Sequence, residues 1–205
     1  MNVFKMIDFI GSKNPNYTYE KVEDKLPAKP VKGKGYYDDN GRQGEWVIKN
    51  KRYWTLDSMG SYINGVKEGI WEYYWEEGPL RSKGSYINGE KEGIWETYDG
   101  TGDLSSKGSY INNIQDGYWE YYYGNGNLAS KGNYINGKEE GIWESYYGNG
   151  KLDNKENYIN GKLDGIWEKY YDNGQLFVKR SYKNGKEEYS EKYDRNGKLV
   201  EKYLR

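Results

Sequence analysis

Five glutamates repeat at intervals of 24 residues, and their carboxylates are the side chains whose regular spacing could most readily do chemistry: Glu72, Glu96, Glu120, Glu144 and Glu168. A row of carboxylates can bind a metal ion or supply the acid and base of a glycosidase. If each interval folds as one hairpin, successive glutamates lie two strands, or about 10 Å, apart. That separation is too long for one shared ion and exceeds what most paired-carboxylate glycosidases use. We therefore interpret the row as structural and predict no catalytic residue and no metal site.

Other reactive side chains are scarce. The chain has no histidine and no cysteine, so thiolate chemistry and a disulfide framework are excluded. Glycine-rich segments such as 124–126 superficially resemble phosphate-binding loops, but no predicted helix follows any of them, as such a loop requires. No isolated serine lies beside a plausible base. We expect no cofactor and a protein that is not an enzyme.

The glutamates belong to a longer repeat that runs from Gly60 to Lys179 without an insertion. The consensus of the unit is Gly-Ser-Tyr-Ile-Asn-Gly, then three variable residues, then Gly-Ile-Trp-Glu. A fixed period in the range of about 20–50 residues is typical of stacked supersecondary units that cannot bury an apolar face alone. We predict a structural role for the tryptophan of each unit: Trp71, Trp95, Trp119, Trp143 and Trp167.

The turns between aromatic segments indicate β-hairpins. Asn-Gly and glycine-rich turns alternate with short runs of Tyr, Trp and Ile, which predicts an all-β fold: an elongated, single-sheet antiparallel β-hairpin array. A two-residue turn at Asn125-Gly126 places Glu120 opposite Lys131, and we predict a structural role for both residues. The same rule predicts further opposed pairs: Glu72–Lys83, Glu96–Lys107, Glu144–Lys155, Glu168–Lys179 and, with reversed signs, Lys192–Glu201.

The period of two along a strand assigns these side chains to two faces. Trp119, Tyr121 and Leu128 fall on one face, which we expect to be packed. The other face, which we expect to face water, carries Tyr118, Glu120, Tyr122, Lys131 and Ile135. In the first three full units the predicted register sets the tryptophan opposite a glycine, which leaves room for the indole to lie across the neighbouring strand.

Four segments follow from the pattern. Residues 1–32 lie outside the repeat, and the Pro- and Lys-rich stretch 25–32 is typical of a linker. Residues 33–59 form a divergent first repeat, 60–179 the five regular repeats, and 180–205 a degenerate C-terminal capping repeat that lacks the Gly-Ile-Trp triplet.

Composition narrows the range of partners and the location. The net charge is −1 with 31% charged residues of both signs, so we expect neither nucleic acid nor a membrane as a partner. The first ten residues contain Lys5 and Asp8 within an apolar run and lack a following cleavage site. We therefore expect a cytoplasmic location, with export or the cell surface as the alternative if a leader was removed.

Aromatic residues make up 18% of the chain, and some of them vary between units. Positions that vary on a repeating scaffold are where a partner can be recognised. On this basis we predict partner contacts at positions two and four after the tryptophans: Tyr73, Trp75, Tyr121, Tyr123, Tyr147 and Tyr171. The alternative is that these rings only thicken a thin core. The loop 112–116 is a second candidate.

The segment 134–143, Tyr-Ile-Asn-Gly-Lys-Glu-Glu-Gly-Ile-Trp, continued by Tyr-Tyr-Gly-Asn-Gly-Lys-Leu at 146–152, resembles the variant MORN repeat of bacterial proteins of the YwqK antitoxin type. The resemblance covers roughly residues 35–205. It implies a β-hairpin array and a protein that binds and neutralises a toxin. Asn113, which replaces the usual turn glycine, departs from the pattern.

Two hypotheses of function remain. The first is a non-catalytic protein-binding repeat module, an antitoxin or immunity-type protein with a toxin or effector as its partner. The second is a cell-surface or carbohydrate-binding aromatic array, since Trp71-Glu72-Tyr73-Tyr74 is similar to choline-binding wall repeats, although those have a shorter period. Lipid binding, suggested for eukaryotic MORN proteins, is disfavoured by the net charge near zero.

Overall fold

A computed structural model describes residues 28–30, 35–50, 55–76 and 78–204. Within these residues all regular secondary structure is β-strand. Most of the predicted N-terminal segment 1–32 lies outside the described residues. The chain divides into two compact units, here called unit 1 (up to Gly102) and unit 2 (from Asp103). The prediction of an all-β, antiparallel hairpin repeat is confirmed.

Unit 1 is an antiparallel sheet in which sequential strands from β3 onward pair with each other. Ala28–Pro30, within the predicted linker, is a short strand, and both it and the next strand pair with β3. The strands are β1 (Ala28–Pro30), β2 (Tyr36–Asp38), β3 (Gly41–Asn50), β4 (Leu56–Ile63), β5 (Val66–Tyr74), β6 (Leu80–Ile87) and β7 (Glu90–Tyr98).

Unit 2 continues the same hairpin pattern. A break at Asp164 divides one strand into β13 and β14, and both parts pair with β12. The strands are β8 (Leu104–Ile111), β9 (Ile114–Tyr122), β10 (Leu128–Ile135), β11 (Lys138–Tyr146), β12 (Leu152–Ile159), β13 (Lys162–Leu163), β14 (Gly165–Tyr170), β15 (Leu176–Lys183), β16 (Lys186–Tyr193) and β17 (Leu199–Leu204).

Every second hairpin closes with a two-residue turn. Ile135 pairs with Lys138, and between them Asn136 and Gly137 have φ values of 50° and 76°. Two successive residues with positive φ define a type I′ turn, whose twist matches that of antiparallel strands. Asn and Gly tolerate this conformation best, which explains why the dipeptide recurs.

The intervening hairpins close differently from the prediction. Tyr122 pairs with Leu128, so residues 123–127 form a five-residue loop, and the predicted two-residue turn at Asn125-Gly126 is wrong. A β-bulge after Leu128 then restores the predicted register, with Lys131 opposite Glu120. Because directly paired residues share a face, the bulge places Leu128 on the face of Tyr122 and not, as predicted, on that of Trp119.

Lysine and glutamate alternate from strand to strand along one face of unit 2. Each glutamate is opposite a lysine on both neighbouring strands, whereas the sequence predicted a lysine on one neighbouring strand only. The series, here called the ladder, comprises Lys107, Glu120, Lys131, Glu144, Lys155, Glu168, Lys179, Glu191 and Lys202. The predicted pair Lys192–Glu201 is in register, but the ladder continues beside it through Glu191 and Lys202.

Unit 1 has a shorter ladder with the same alternation. Glu72 is opposite Lys83, which is in turn opposite Glu96, and Met59 occupies the next place. The ammonium of Lys83 lies 3.3 Å from a carboxylate oxygen of Glu72. Exposed cross-strand ion pairs contribute only about 0.2–1 kcal/mol each, so the ladder fixes the register more than it stabilises the fold.

The other face is a layer of indoles and phenols. Trp119 is 3% exposed and lies between Tyr110 and Tyr134, with edge-to-face centroid distances of 5.2 and 6.2 Å. Its Nε1 donates to the carbonyl of Ser109 at 3.1 Å. Trp71 and Trp95 are each 1% exposed and bond in the same way to Ser61 and Ser85. With so few aliphatic core residues, these rings supply most of the apolar burial.

The indoles lean toward the preceding strand. Trp119 is opposite Gly132 in the register, as predicted, but its ring covers Gly108 on the strand before it. Trp143 covers Gly132 in the same way. The glycines do make room for the indoles, although each one accommodates the tryptophan that follows it in the chain.

Hydrogen bonds between equivalent turns join successive hairpins. The amide of Gly137 donates to the carbonyl of Gln115, and that of Gly161 donates to Glu139, both at 2.9 Å. An acidic side chain repeats the link, since Asp116 accepts a bond from the amide of Asn136. Each turn is thus positioned by the hairpin before it, as expected when every repeat contacts only its neighbours.

Candidate functional site

The repeated glutamates bond to their neighbours on the ladder face. Glu144 lies 3.2 Å from the ammonium of Lys131 and accepts a 2.7 Å hydrogen bond from Tyr146. These hydrogen bonds lower the pKa of Glu144, the one from Tyr146 most strongly. Tyr122 donates in the same way to Glu120 at 2.8 Å, and burial together with this bond raises the pKa of Tyr122 to about 12. The Glu144 carboxylate is therefore charged, and the Tyr122 phenol protonated, near neutral pH.

Within the part of the chain that the structure describes, no group of three or more acidic side chains is arranged to hold a metal ion. The same residues include no helix long and apolar enough to cross a membrane.

Tyr73 and Tyr121, two of the predicted partner-binding residues, lie within the aromatic layer. Tyr121 stacks on Trp119 at a centroid distance of 5.9 Å and lies 6.4 Å from Trp143. Its hydroxyl is 3.4 Å from that of Tyr134. Tyr73 occupies the equivalent place in unit 1, and burial raises its pKa. Both rings are half-buried, and their contacts are with the repeats themselves.

The remaining four predicted residues link one long loop to the next. Tyr123 donates to the carbonyl of Tyr146 at 2.7 Å, and Tyr147 donates to that of Tyr170 at 2.6 Å. Tyr171 and the indole of Trp75 make the same bond to the following hairpin. Their hydrogen bonds therefore join successive hairpins to each other. Trp75 and Tyr123 nevertheless remain 38% and 39% exposed. Their binding to a partner stays a prediction.

The exposed isoleucines of unit 2 lie on the ladder face. Along β10, Ile135 follows Lys131 at a spacing of four and therefore shares its face, as the sequence predicted. Ile142 precedes Glu144 by two residues on the next strand, which gives it the same orientation. Seven side chains, exposed by 44–54%, form what we call the isoleucine band: Ile111, Ile114, Tyr118, Ile135, Ile142, Ile159 and Ile166.

Unit 1 has an equivalent band on its own ladder face. Ile70 lies two residues before Glu72, and Ile63 lies four after Met59. Its members are 41–61% exposed: Ile63, Val66, Ile70, Ile87 and Ile94. None of these positions was predicted to bind a partner, because residues that recur were interpreted as those that hold the fold. The signal that could have found them is the period of two along each strand, which puts them on the face predicted to be wet.

Recurrence places these side chains in a row along the ladder face of each unit. Isoleucines at turns alternate with isoleucines in mid-strand, so each lies near others on adjacent hairpins. Isolated exposed isoleucines are ordinary, but monomeric soluble proteins rarely expose contiguous apolar patches of more than a few hundred Å². A repeated band is therefore the strongest candidate for a functional surface in the described residues.

The fold and surfaces of each unit define a class: an antiparallel β-hairpin repeat scaffold with one aromatic face and one face that carries charged and aliphatic rows. The family model described as "MORN repeat variant" matches five successive segments of the chain: 67–88, 91–112, 115–136, 139–160 and 163–184. The protein belongs to the MORN repeat variant family. MORN repeats are generally non-catalytic repeat modules.

No curated protein matches the chain significantly. Membership of the repeat family thus stands on the five matched segments and on their period of 24 residues.

Proposed function

We propose that the protein is a non-catalytic binding module of the antitoxin or immunity type, which neutralises a protein partner by covering it with the ladder face. The single observation that supports this most strongly is the isoleucine band, whose side chains are 44–54% exposed in unit 2. Apolar rows on a rigid sheet are typical of protein–protein contacts. The proposal includes a bacterial toxin or effector as the partner and the cytoplasm as the location.

The chemistry beside the band favours a protein over a lipid surface. The band is bordered by the ladder, in which lysines and glutamates alternate. Protein interfaces commonly have an apolar centre and a polar rim with paired charges. An anionic membrane would instead be recognised by an excess of cations, whereas the ladder presents both signs almost equally.

The carbohydrate alternative receives less support. Sugar stacking requires the open face of an aromatic ring, but Trp71, Trp95, Trp119 and Trp143 are at most 9% exposed. Among the tryptophans that the structure describes, Trp75 is the most exposed, and its indole bonds to the next loop.

A neutralisation assay tests the proposed function directly. The chain would be used to capture partners from the native lysate, and each captured protein would be expressed with and without the chain while growth is measured. We expect one captured protein to arrest growth alone and to be tolerated when the chain is present. Failure of every captured protein to arrest growth, or failure of the chain to relieve the arrest, would contradict the proposal.

A variant pair separates the isoleucine band from general hydrophobicity. Ile142→Thr with Ile166→Thr keeps β-branched side chains in the strands but makes the band polar. We expect loss of capture and of rescue with an almost unchanged melting temperature. The matched control is Leu199→Thr with Leu204→Thr, which removes two aliphatic side chains exposed by 44% and 75% from the last strand. Equal loss in both variants would contradict the assignment of binding to the band.

A further inference from the structure

On the aromatic face, here called the Trp face, one position of the repeat carries side chains whose charge changes along the chain. Four residues before each tryptophan the side chain is Arg42, Lys67 and Lys91 in unit 1, and Gln115, Glu139 and Leu163 in unit 2. Glu187 follows in the same series, four residues before Glu191, which replaces the tryptophan. From Lys67 onward, each of these residues is directly opposite a tyrosine of the preceding strand, so all occupy equivalent places.

In unit 1 this position is cationic and lies on the aromatic rings. The ammonium of Lys67 is 4.5 Å from the centroid of Trp71 and donates to the hydroxyl of Tyr73 at 2.6 Å. Lys91 lies 4.2 Å from Trp95 in the same way. Burial lowers the pKa of both lysines, and the neighbouring Arg42 and Lys91 lower that of Lys67 further. The cations therefore act on one another as a positive strip.

In unit 2 the equivalent position is neutral or anionic. Glu139 replaces the lysine opposite Tyr134. Glu156 is opposite Trp143, and it accepts hydrogen bonds from Tyr158 at 2.7 Å and from the indole of Trp167 at 2.8 Å. Burial is the largest cause of the raised pKa of Tyr158, and the charges of Glu156 and Glu139 add to it. Around Trp143 the Trp face is therefore acidic, whereas around Trp71 and Trp95 in unit 1 it is basic.

The basic side chains of unit 1 and the acidic side chains of unit 2 have the same spacing across their sheets. Arg42 on β3 and Lys91 on β7 are four strands apart, about 19 Å at 4.8 Å per strand. Glu139 on β11 and Glu187 on β16 are also four strands apart when β13 and β14 count as one strand. When the two sets are placed against each other with the strand order of one reversed, Lys91 lies opposite Glu139 and Arg42 lies opposite Glu187. The apolar stem of Lys67 then lies opposite Leu163. Glu187 also lies 3.6 Å from Arg180, so its carboxylate would be shared.

We propose that the protein associates with itself, the Trp face of unit 1 in one copy binding the Trp face of unit 2 in a second copy in antiparallel order. Charge complementarity selects the second copy as the occupant, because the matching acidic and basic series are present in the same chain at equivalent positions. The half-buried tyrosine rings between the charges supply the aromatic content common in interface cores. This surface is opposite the isoleucine band, so self-association leaves the proposed partner site exposed.

Charge-swap variants give the decisive test. Arg42→Glu with Lys91→Glu reverses the charge of the two cations that lie opposite glutamates in this arrangement, and Glu139→Lys with Glu187→Lys reverses the charge of those two glutamates. The chain itself carries lysine, glutamine and glutamate at this position, so the repeat accommodates the substitutions. Mass is measured by sedimentation equilibrium at low salt and at about 0.5 M NaCl, where exposed charges are screened.

We expect the wild type to exceed the monomer mass of 24.1 kDa at low salt and to dissociate toward it as salt rises. Each swapped variant alone should associate more weakly, by roughly tenfold for each charge pair lost. An equimolar mixture of the two variants should regain association, because each then complements the other. The proposal would be overturned if the wild-type protein had the monomer mass at low salt, or if the mixture of the two charge-swapped variants did not associate.

Two further variants guard against a loss of folding. Lys67→Gln with Lys91→Gln copies the natural Gln115, which donates to Tyr121 at 3.2 Å just as Lys67 donates to Tyr73. It should weaken association without lowering the melting temperature, and unaltered association would overturn the proposal. The matched control for the charge-swapped variants is Lys151→Glu with Lys198→Glu, which makes the same change of charge as Arg42→Glu with Lys91→Glu but at exposed loop lysines, and it should associate as the wild type does.

Discussion

The indole of Trp119 lies so close over Gly108 that a Cβ on the glycine would be 2.1 Å from Cδ2 of the ring. The same contact recurs between Trp143 and Gly132. No real Cβ approaches a ring atom so closely, so either the indole or the strand would have to move. The glycine is thus a packing residue, and it lets an aromatic ring cover the backbone of the neighbouring strand.

Gly108→Ala should therefore destabilise the protein by about 1–3 kcal/mol through overpacking, with loss of the fixed position of the indole. Thermal unfolding followed by tryptophan fluorescence measures both effects. Gly148→Ala is the control, because a Cβ there meets nothing within 4 Å. If the two variants melt alike, the indole of Trp119 is free to shift and the close contact does not restrict it.

Trp119→Ala should lower the free energy of unfolding by about 3 kcal/mol or more, because the indole is 3% exposed and its removal leaves a cavity between three tyrosines. Urea unfolding measures the change. Trp75→Ala, which removes an indole that is 38% exposed, should cost clearly less. An unchanged unfolding curve for Trp119→Ala would instead assign this ring to a binding surface.

Asn113→Gly should stabilise the protein by about 0.5 kcal/mol. Asn113 holds φ at 66° in the second place of a type I′ turn, where other repeats have glycine. The reverse change, Gly185→Asn, is a matched control because a Cβ there meets nothing within 4 Å while φ is 77°. It should lower the melting temperature by a similar amount. Shifts of the same sign in both variants would show that backbone preference does not control these turns.

The ladder should make stability sensitive to acid. Hydrogen bonds from Tyr189 and Tyr193, together with Lys202, lower the pKa of Glu191 to about 2. A carboxyl with a lowered pKa in the folded state contributes stability above its unfolded pKa, and that stability is lost as pH falls through the folded pKa. We expect the free energy of unfolding to fall between about pH 4.5 and 2.

Glu191→Gln isolates this contribution. The variant should be less stable than the wild type at pH 7, and urea unfolding curves of the two should converge as pH approaches about 2. Glu201→Gln removes a carboxylate from the same hairpin but outside the ladder, and it serves as the control. A stability difference between Glu191→Gln and the wild type that does not change with pH would contradict the electrostatic explanation.

Much of the fold could be predicted because the period and the turn residues are local signals. The 24-residue interval and the Asn-Gly turns predicted the hairpins, and the register of Glu120 with Lys131 was correct even though the turn beside it was not. The five-residue loop and the bulge after Leu128 compensate in length, so an incorrect turn still gave correct pairing. Leu128 was assigned to the wrong face because a bulge reverses the alternation of side chains.

The candidate surface was harder to predict. Variation between repeats directed attention to Tyr121 and Tyr123, whose side chains interact with neighbouring repeats. The exposed Ile135 and Ile142 were not predicted as a binding surface, because recurring residues were interpreted as those that hold the fold. In a repeat protein a recurring residue can hold the fold or form a continuous surface, and only its exposure distinguishes these roles.

The sequence alone determined the repeat, the all-β hairpin architecture and the two faces, because turn chemistry and a period of two act over a few residues. The tertiary structure decided which neighbour each side chain contacts. The indole of Trp119 leans over Gly108 and not Gly132, and the ammonium of Lys131 lies 3.2 Å from Glu144. Each inner strand has two neighbours, and side-chain packing across both of them, which no local pattern encodes, selects between them.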